Sequence, residues 1–344
     1  MRDHGTVGKD GDGFDIFVGT DDGVISLRDG GRRLGLEGHR VSAIHAFRAP
    51  GRPGPVLLAG TYGEGLHRSE DGGQTWGLVE GMPAPAARTI RPDPLIAGAL
   101  LCGTEPARLF RSDDGGATWS ELAGISSLPA HAGWFLPYSP RAGALRNVDT
   151  VPGESGHILA SVEVGGMLRS TDGGQTWSIE EIAGNDDIHQ VAGDPERPGR
   201  VWASLGYAAL PTRVRHPEDR HLGGVARSDD SGRTWSLLHT DYTRSTIPVP
   251  RAPGTVVSGP APRVGEAGRI VVSTDGGESW QPASDGIDTP MADMVELFVP
   301  APDGSVFAVC SGGRLLRAEP DRWRWASALP TEPSLKAVSI TFLN

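Results

Sequence analysis

The feature that most constrains this chain is an eight-residue word that recurs five times. It reads SEDGGQTW from Ser69, SDDGGATW from Ser112, STDGGQTW from Ser170, SDDSGRTW from Ser228 and STDGGESW from Ser273. Its third-position aspartates, Asp71, Asp114, Asp172, Asp230 and Asp275, are separated by steps of 43, 58, 58 and 45 residues. Self-similarity at such a period marks a repeat fold, in which each unit buries its apolar surface against its neighbours. It also argues against an active-site loop, because one reaction does not need five copies.

Two weaker copies extend the series. GVISLRDGGRRLGL, from Gly23 to Leu36, aligns with GLHRSEDGGQTWGL and sets Asp29 over Asp71 and Leu34 over Trp76. LLRAEPDRWRW keeps Arg317 and Trp325 but carries Pro320 in place of the aspartate. That makes seven units. Each is preceded by a short apolar run ending in small residues, such as VLLAGT, ALLCGT, HILASV or TVVSGP. Before most of these lies another strand-like run, such as VSAIHAF, DIHQVAG or VELFVPA. Long stretches at helical spacing are absent, so the chain is all-β. Each unit is expected to hold four strands, A to D, with the word between C and D and strand D starting at its tryptophan.

The first unit begins directly at strand B, while the last residues, LKAVSITFLN, form a strand A with no unit after it. A ring in which the C-terminal strand completes the N-terminal blade resolves both facts. Residues 1–344 are therefore expected to form a single seven-bladed β-propeller with four-stranded blades. Ring closure leaves only short, protected sheet edges.

The word resembles the Asp-box (BNR) repeat, and the resemblance spans nearly the whole chain. It implies that each word is the C–D hairpin of a blade. The aspartate would accept hydrogen bonds from nearby backbone N–H groups, glycines would supply positive φ, and the tryptophan would fill the space between blades. Propellers of this kind include sialidases, xyloglucan hydrolases, sortilin-type receptors and photosystem assembly factors. Sialidases have six blades and an arginine triad beginning in an R-I-P motif; this chain has seven units and no R-I-P. Xyloglucan hydrolases work in a cleft between two propellers, and this chain supplies one. Photosystem assembly factors carry a Gly-Trp-x-Val-Gly strand that these units lack. The resemblance implies the fold and leaves function to the site.

Charge narrows the partners. The net charge is −11 with no basic stripe, which disfavours a phosphate backbone. No apolar run is long enough to cross a bilayer, and the N-terminus lacks the apolar core of a signal peptide, so a cytoplasmic location is expected. Cys102 and Cys310 fall in strand-like runs of non-adjacent units and are expected to be reduced, buried thiols.

With every word on one face, the B–C and D–A loops lie on the other, here called the top. The two longest insertions, residues 124–143 and 206–224, both go there, and long loops on a rigid scaffold usually carry function. The residue types agree. Tyr62 and Tyr207 are expected in B–C loops, Tyr138 and Tyr242 in D–A loops. Trp134, His131, His216 and His221 lie in the insertions, and His39 precedes a strand A. Arg88, Arg146, Asp187, His189, Arg244 and Asp293 come near the top ends of A strands, where they can face the channel mouth.

Aromatics, arginines and carboxylates on one face suit a polar ligand with flat faces, such as a sugar. The expected function is binding of a carbohydrate-like or other polar small molecule in a top-face central pocket. If the ligand is hydrolysed, Asp187, Glu218, Asp219 and Asp293 are the candidate carboxylates. The alternatives are a non-catalytic platform gripping a protein partner through the same loops, and a metalloenzyme. The last would gather His39, His131, His189, His216 or His221 around an ion; H-x-x-x-x-H at His216 and His221 is a weak signal because it falls in a loop, and no cofactor is otherwise expected.

Overall fold

Seven four-stranded antiparallel sheets form a ring, each running in the order A-B-C-D from its inner strand outward. The computed structural model describes residues 13–28, 30–52, 54–93, 95–136, 143–207, 223–319, 321–330 and 335–344. Among them the helical content is one short 3-10 turn, Pro129–Gly133, and no helix is long and apolar enough to cross a membrane. The closing strand, Ala337–Leu343, is strand A of blade 1 and pairs antiparallel with Asp15–Thr20. Strands A of blades 2 to 7 are Val41–Phe47, Ala86–Pro92, Ala144–Thr150, Ile188–Gly193, Tyr242–Pro248 and Val295–Pro300.

The small residues that end each strand B have a packing reason. A Cβ on Gly60 would lie 2.6 Å from the carbonyl oxygen of Ala87 in the next blade, and one on Gly259 would lie 2.6 Å from Val295 Cβ. The B strands thin at that level so that the neighbouring strand A can approach. Cores form between blades; Leu101 of blade 3 packs with Leu145, Ile158 and Trp177 of blade 4. Cys102 and Cys310 are buried free thiols, and burial pushes the Cys310 thiol up to about 12.

The five full words are C–D hairpins with one internal wiring. Asp71 Oδ1 accepts from the backbone N–H groups of Gln74 and Thr75, both at 2.9 Å, and from Ser69 Oγ at 2.8 Å. Thr75 Oγ1 donates to Oδ2 at 2.6 Å. Asp114, Asp172, Asp230 and Asp275 repeat the pattern. These donors, led by the threonine hydroxyl, hold Asp71 and Asp172 down at about 2. An arginine before the word's serine reaches the next word: Arg68 Nε donates to Gly115 O at 3.1 Å, and Arg169 Nε to Ser231 O at 3.0 Å. Trp76 and Trp325 cross in the other direction, donating from Nε1 to Leu34 O and Ala283 O of the preceding blades.

Two details depart from expectation. In the five full words, strand D starts one residue after the tryptophan, as in Gly77–Leu78. The hairpin of blade 1 is tighter than the alignment implies. Ser26 pairs with Arg32, and Leu34 donates its N–H to Val24 O. Leu34 thus takes the place that Val79, not Trp76, holds in blade 2, where Val79 donates to Leu66 O. Asp29 and Pro320 lie outside the described residues.

Candidate functional site

Each strand A carries a bulge at the same level. Between consecutive A–B pairs one residue is left over: Val338, Ser42, Arg88, Arg146, His189 and Glu296, and in blade 6 Arg244 with Ser245 sits opposite Gly259. A bulge inserts a residue out of the alternation and re-aims its side chain. Here all seven levels aim inward, and Val338, Ser42, Arg88, Arg146, His189, Arg244 and Glu296 all line one central cavity of about 420 Å³. The residues next to them stitch the ring. Asn147 Oδ1 accepts from Val191 N, Gln190 Oε1 from Thr246 N, and Ser245 Oγ from Phe298 N.

The lining is basic although the protein is acidic. It includes Arg40, Arg88, Arg91, Arg146 and Arg244 against one carboxylate, Glu296. Buried glutamates at the ends of B strands stand behind: Arg88 is 3.6 Å from Glu105, and Arg146 Nη1 is 3.0 Å from Glu163. Arg244 Nη1 meets both Glu296 oxygens at 2.5 Å, and its Nε donates to the Tyr242 hydroxyl at 2.7 Å. Burial opposes the charge on both Arg244 and Glu296, but each outweighs that cost for the other, raising the arginine and lowering the glutamate. Arg88 differs. Burial and the like charge of Arg146 depress it, and its guanidinium stacks 4.7 Å over the Tyr62 ring. Burial raises the Tyr242 phenol, which stays neutral and lies 3.1 Å from His189 Nε2. On its other side His189 Nε2 is 3.3 Å from Asp187 Oδ1.

Of the residues singled out from sequence, Tyr62, Arg88, Arg146, His189 and Arg244 line the cavity. Asp187 and Tyr242 back it through His189, and Tyr242 is the first residue of a strand A rather than part of a loop. Tyr207 lies edge-on to Tyr242 and donates to Pro262 O. The rest go elsewhere. Trp134 is buried in the core with Leu101, Ile125 and Leu145, so it offers no stacking face to a ligand. His131 caps a loop through Ala107 O, and His39 pairs with Glu64. Asp293 is clamped bidentately by Arg314. Tyr138, His216, Glu218, Asp219 and His221 lie outside the described residues. Sequence reasoning missed Glu296, Glu163, Glu105 and Arg40. Laying the A strands over one another, with LRN over IHQ, TRS and VEL, puts Glu296 in the same column as the arginines.

A BNR/Asp-box repeat model matches residues 110–121, 168–178 and 271–282. Among curated proteins, none matches the sequence. Solved structures share the fold. A GH74 xyloglucanase from Xanthomonas campestris is 17% identical, with a TM-score of 0.65, over 97% of this chain and 52% of that one. A GH74 enzyme from Niastella koreensis is 15% identical, with a TM-score of 0.63, over 95% of this chain and 52% of that one. YCF48 bound to D1 peptide is 19% identical, with a TM-score of 0.57, over 89% of this chain and 90% of that one. The chain thus spans about half the length of these two GH74 enzymes.

Proposed function

We propose that this BNR/Asp-box propeller binds a small polar ligand bearing an anionic group, such as a carboxylated saccharide, in its central cavity. The observation that carries the reading is the pair Arg88 and Arg146. Both guanidinium groups line the same cavity, and burial first, with the like charge of Arg146 second, depresses Arg88. An anion between them removes the repulsion and gains charge-assisted hydrogen bonds. The exposed Tyr62 ring beside Arg88 offers a flat apolar contact of the kind sugars use. The cavity volume falls in the range of small-molecule sites.

Calorimetric titration with a uronic-acid disaccharide and with its neutral counterpart tests this. The acidic sugar is expected to bind, more weakly as salt rises, and the neutral one to bind far less. Equal binding of both, or of neither, contradicts the reading. If the ligand is also cleaved, Asp187 and Glu163, which stand behind the His189 and Arg146 side chains of the lining, are the paired carboxylates next to the cavity. Ligand atoms from the two lie within 4.8 Å of each other, nearer the roughly 5–5.5 Å of retaining glycosidases than the roughly 6.5–9.5 Å of inverting ones. Turnover of aryl glycosides, lost in Asp187→Asn, would support cleavage, and no turnover leaves a binding protein.

A second reading has its own support. Tyr62, Phe135 and Val264 are exposed in B–C and D–A loops of the top face, and Tyr62 lines the cavity, which suits an extended peptide. A YCF48 structure of the same fold holds a peptide. An acidic peptide that competes with the acidic sugar and loses affinity in Phe135→Ala would favour this version.

A further inference from the structure

We propose that Glu163, Asp187 and His189 form a binding site for one divalent transition-metal ion in the wall of the central cavity. One ligand atom from each residue lies within 4.8 Å of the other two. The backbone holds them there. Glu163 ends strand B of blade 4 and forms an isolated bridge with Asp187, which precedes strand A of blade 5. Asp187 N donates to Asn185 Oδ1 at 2.7 Å, and His189 is the bulge residue of that strand. Gly206 closes the site from outside, where a Cβ would lie 2.0 Å from Asp187 Oδ2 and 2.6 Å from His189 Nε2.

Asp187 stands apart from the arginine–glutamate pairs of the ring, in which Arg88, Arg146 and Arg244 are set against Glu105, Glu163 and Glu296 respectively. Its side chain is 10% exposed, and among the described residues its ion-pair contact is with His189, itself 1% exposed. Asp187 Oδ1 and His189 Nδ1 are buried without a hydrogen bond. A buried carboxylate oxygen with no donor is costly, and a bound cation removes that cost.

The donor set selects the ion. One imidazole nitrogen and two carboxylate oxygens suit Zn²⁺ or Mn²⁺, whereas Ca²⁺ requires six or more oxygens and Cu⁺ prefers thiolates. Three protein ligands leave a coordination position free for water or a ligand group, as in catalytic rather than structural sites. Arg146 holds Glu163 through a hydrogen bond to its Oε2, and binding through His189 Nε2 exchanges its contact with the Tyr242 hydroxyl for a metal bond.

The test is metal uptake by the full chain after chelator treatment, with no organic ligand present, so its outcome is independent of the anion-binding reading. Zn²⁺ and Mn²⁺ are titrated by calorimetry, and Co²⁺ by its visible absorption, into wild type, Asp187→Asn and His189→Gln. Circular dichroism confirms that the variants fold. One equivalent is expected to bind the wild type and raise its unfolding midpoint, with affinity at least tenfold weaker in both variants. No saturable uptake by the wild type overturns the proposal. Undiminished affinity in both variants overturns it too. Should a variant fail to fold, the wild-type Co²⁺ spectrum still decides, because a mixed nitrogen and oxygen site of low symmetry gives intense bands and a hydrated surface ion does not.

Discussion

The two ends of each blade use the same residue types to opposite effect. At the outer hairpins, each box aspartate finds its donors within its own turn, and box arginines reach the backbone of the next box. Charge there is satisfied locally, and the product is a clasp repeated around the ring. At the inner bulges, arginines, glutamates and a histidine are thrust into a cavity and satisfied across blades, with Asp187 Oδ1 left without a hydrogen bond. A fully satisfied polar group contributes rigidity; an incompletely satisfied one is prepared to bind something else.

The contrast breaks most visibly at the clasp. Trp325 is 2% exposed and bridges blades 6 and 7 through Ala283 O. Trp325→Ala is expected to cost about 3–5 kcal/mol of stability by denaturant unfolding. A loss below 1 kcal/mol would mean that the tryptophans do not hold the blades together. Next in size is the ring. Arg88→Ala or Arg146→Ala is expected to weaken binding of the acidic disaccharide by about 1.5–3 kcal/mol, roughly ten- to a hundredfold, and also to lower the unfolding midpoint, because Glu105 or Glu163 is left buried without its arginine. A large stability loss with unchanged affinity would make these arginines structural.

Gly206→Ala sharpens the comparison from the backbone side. Its added Cβ collides with Asp187 and His189, so metal uptake should fall severalfold while the box tryptophan fluorescence stays native. Native uptake would show that the Asp187 carboxylate is not held where the site requires it. The smallest effect belongs to a single box. Asp172→Asn should lower the unfolding midpoint by a few degrees at neutral pH. Because Asp71 and Asp172 are depressed from 3.8 to about 2, their contribution is present above pH 4 and lost as pH falls through about 2. The double variant Asp71→Asn/Asp172→Asn should therefore lose less stability than wild type between pH 4 and pH 2, as acid unfolding curves would show.

Much of the scaffold was legible because its signals are local. The box spells out its own hydrogen bonds, and a strand A at the C-terminus with a strand B at the N-terminus implies closure. The tighter hairpin of blade 1 was not legible, since Asp29 keeps the box letters while the pairing of Ser26 shifts to Arg32. The site was half legible. Arg88, Arg146, His189 and Arg244 stand out by type at strand starts. Glu296 hides inside VELFVP, where alternation gives no warning of a bulge, and Glu105 and Glu163 hide at the ends of apolar B strands. Trp134 misleads for the converse reason: a tryptophan in a long loop reads as a binding residue, but Leu101 and Leu145 of the blades beneath bury it. Bulge register is set by pairing between strands, which one strand's sequence does not display.

The central claim is that binding belongs to the inner ring and the boxes are scaffold. Its most direct test is one calorimetric series with the uronic-acid disaccharide on wild type, Arg88→Ala/Arg146→Ala and Asp71→Asn/Asp172→Asn. Binding by the wild type and the box variant, with loss in the ring variant, is the predicted result. Binding that survives in the ring variant, or vanishes in a folded box variant, would contradict it.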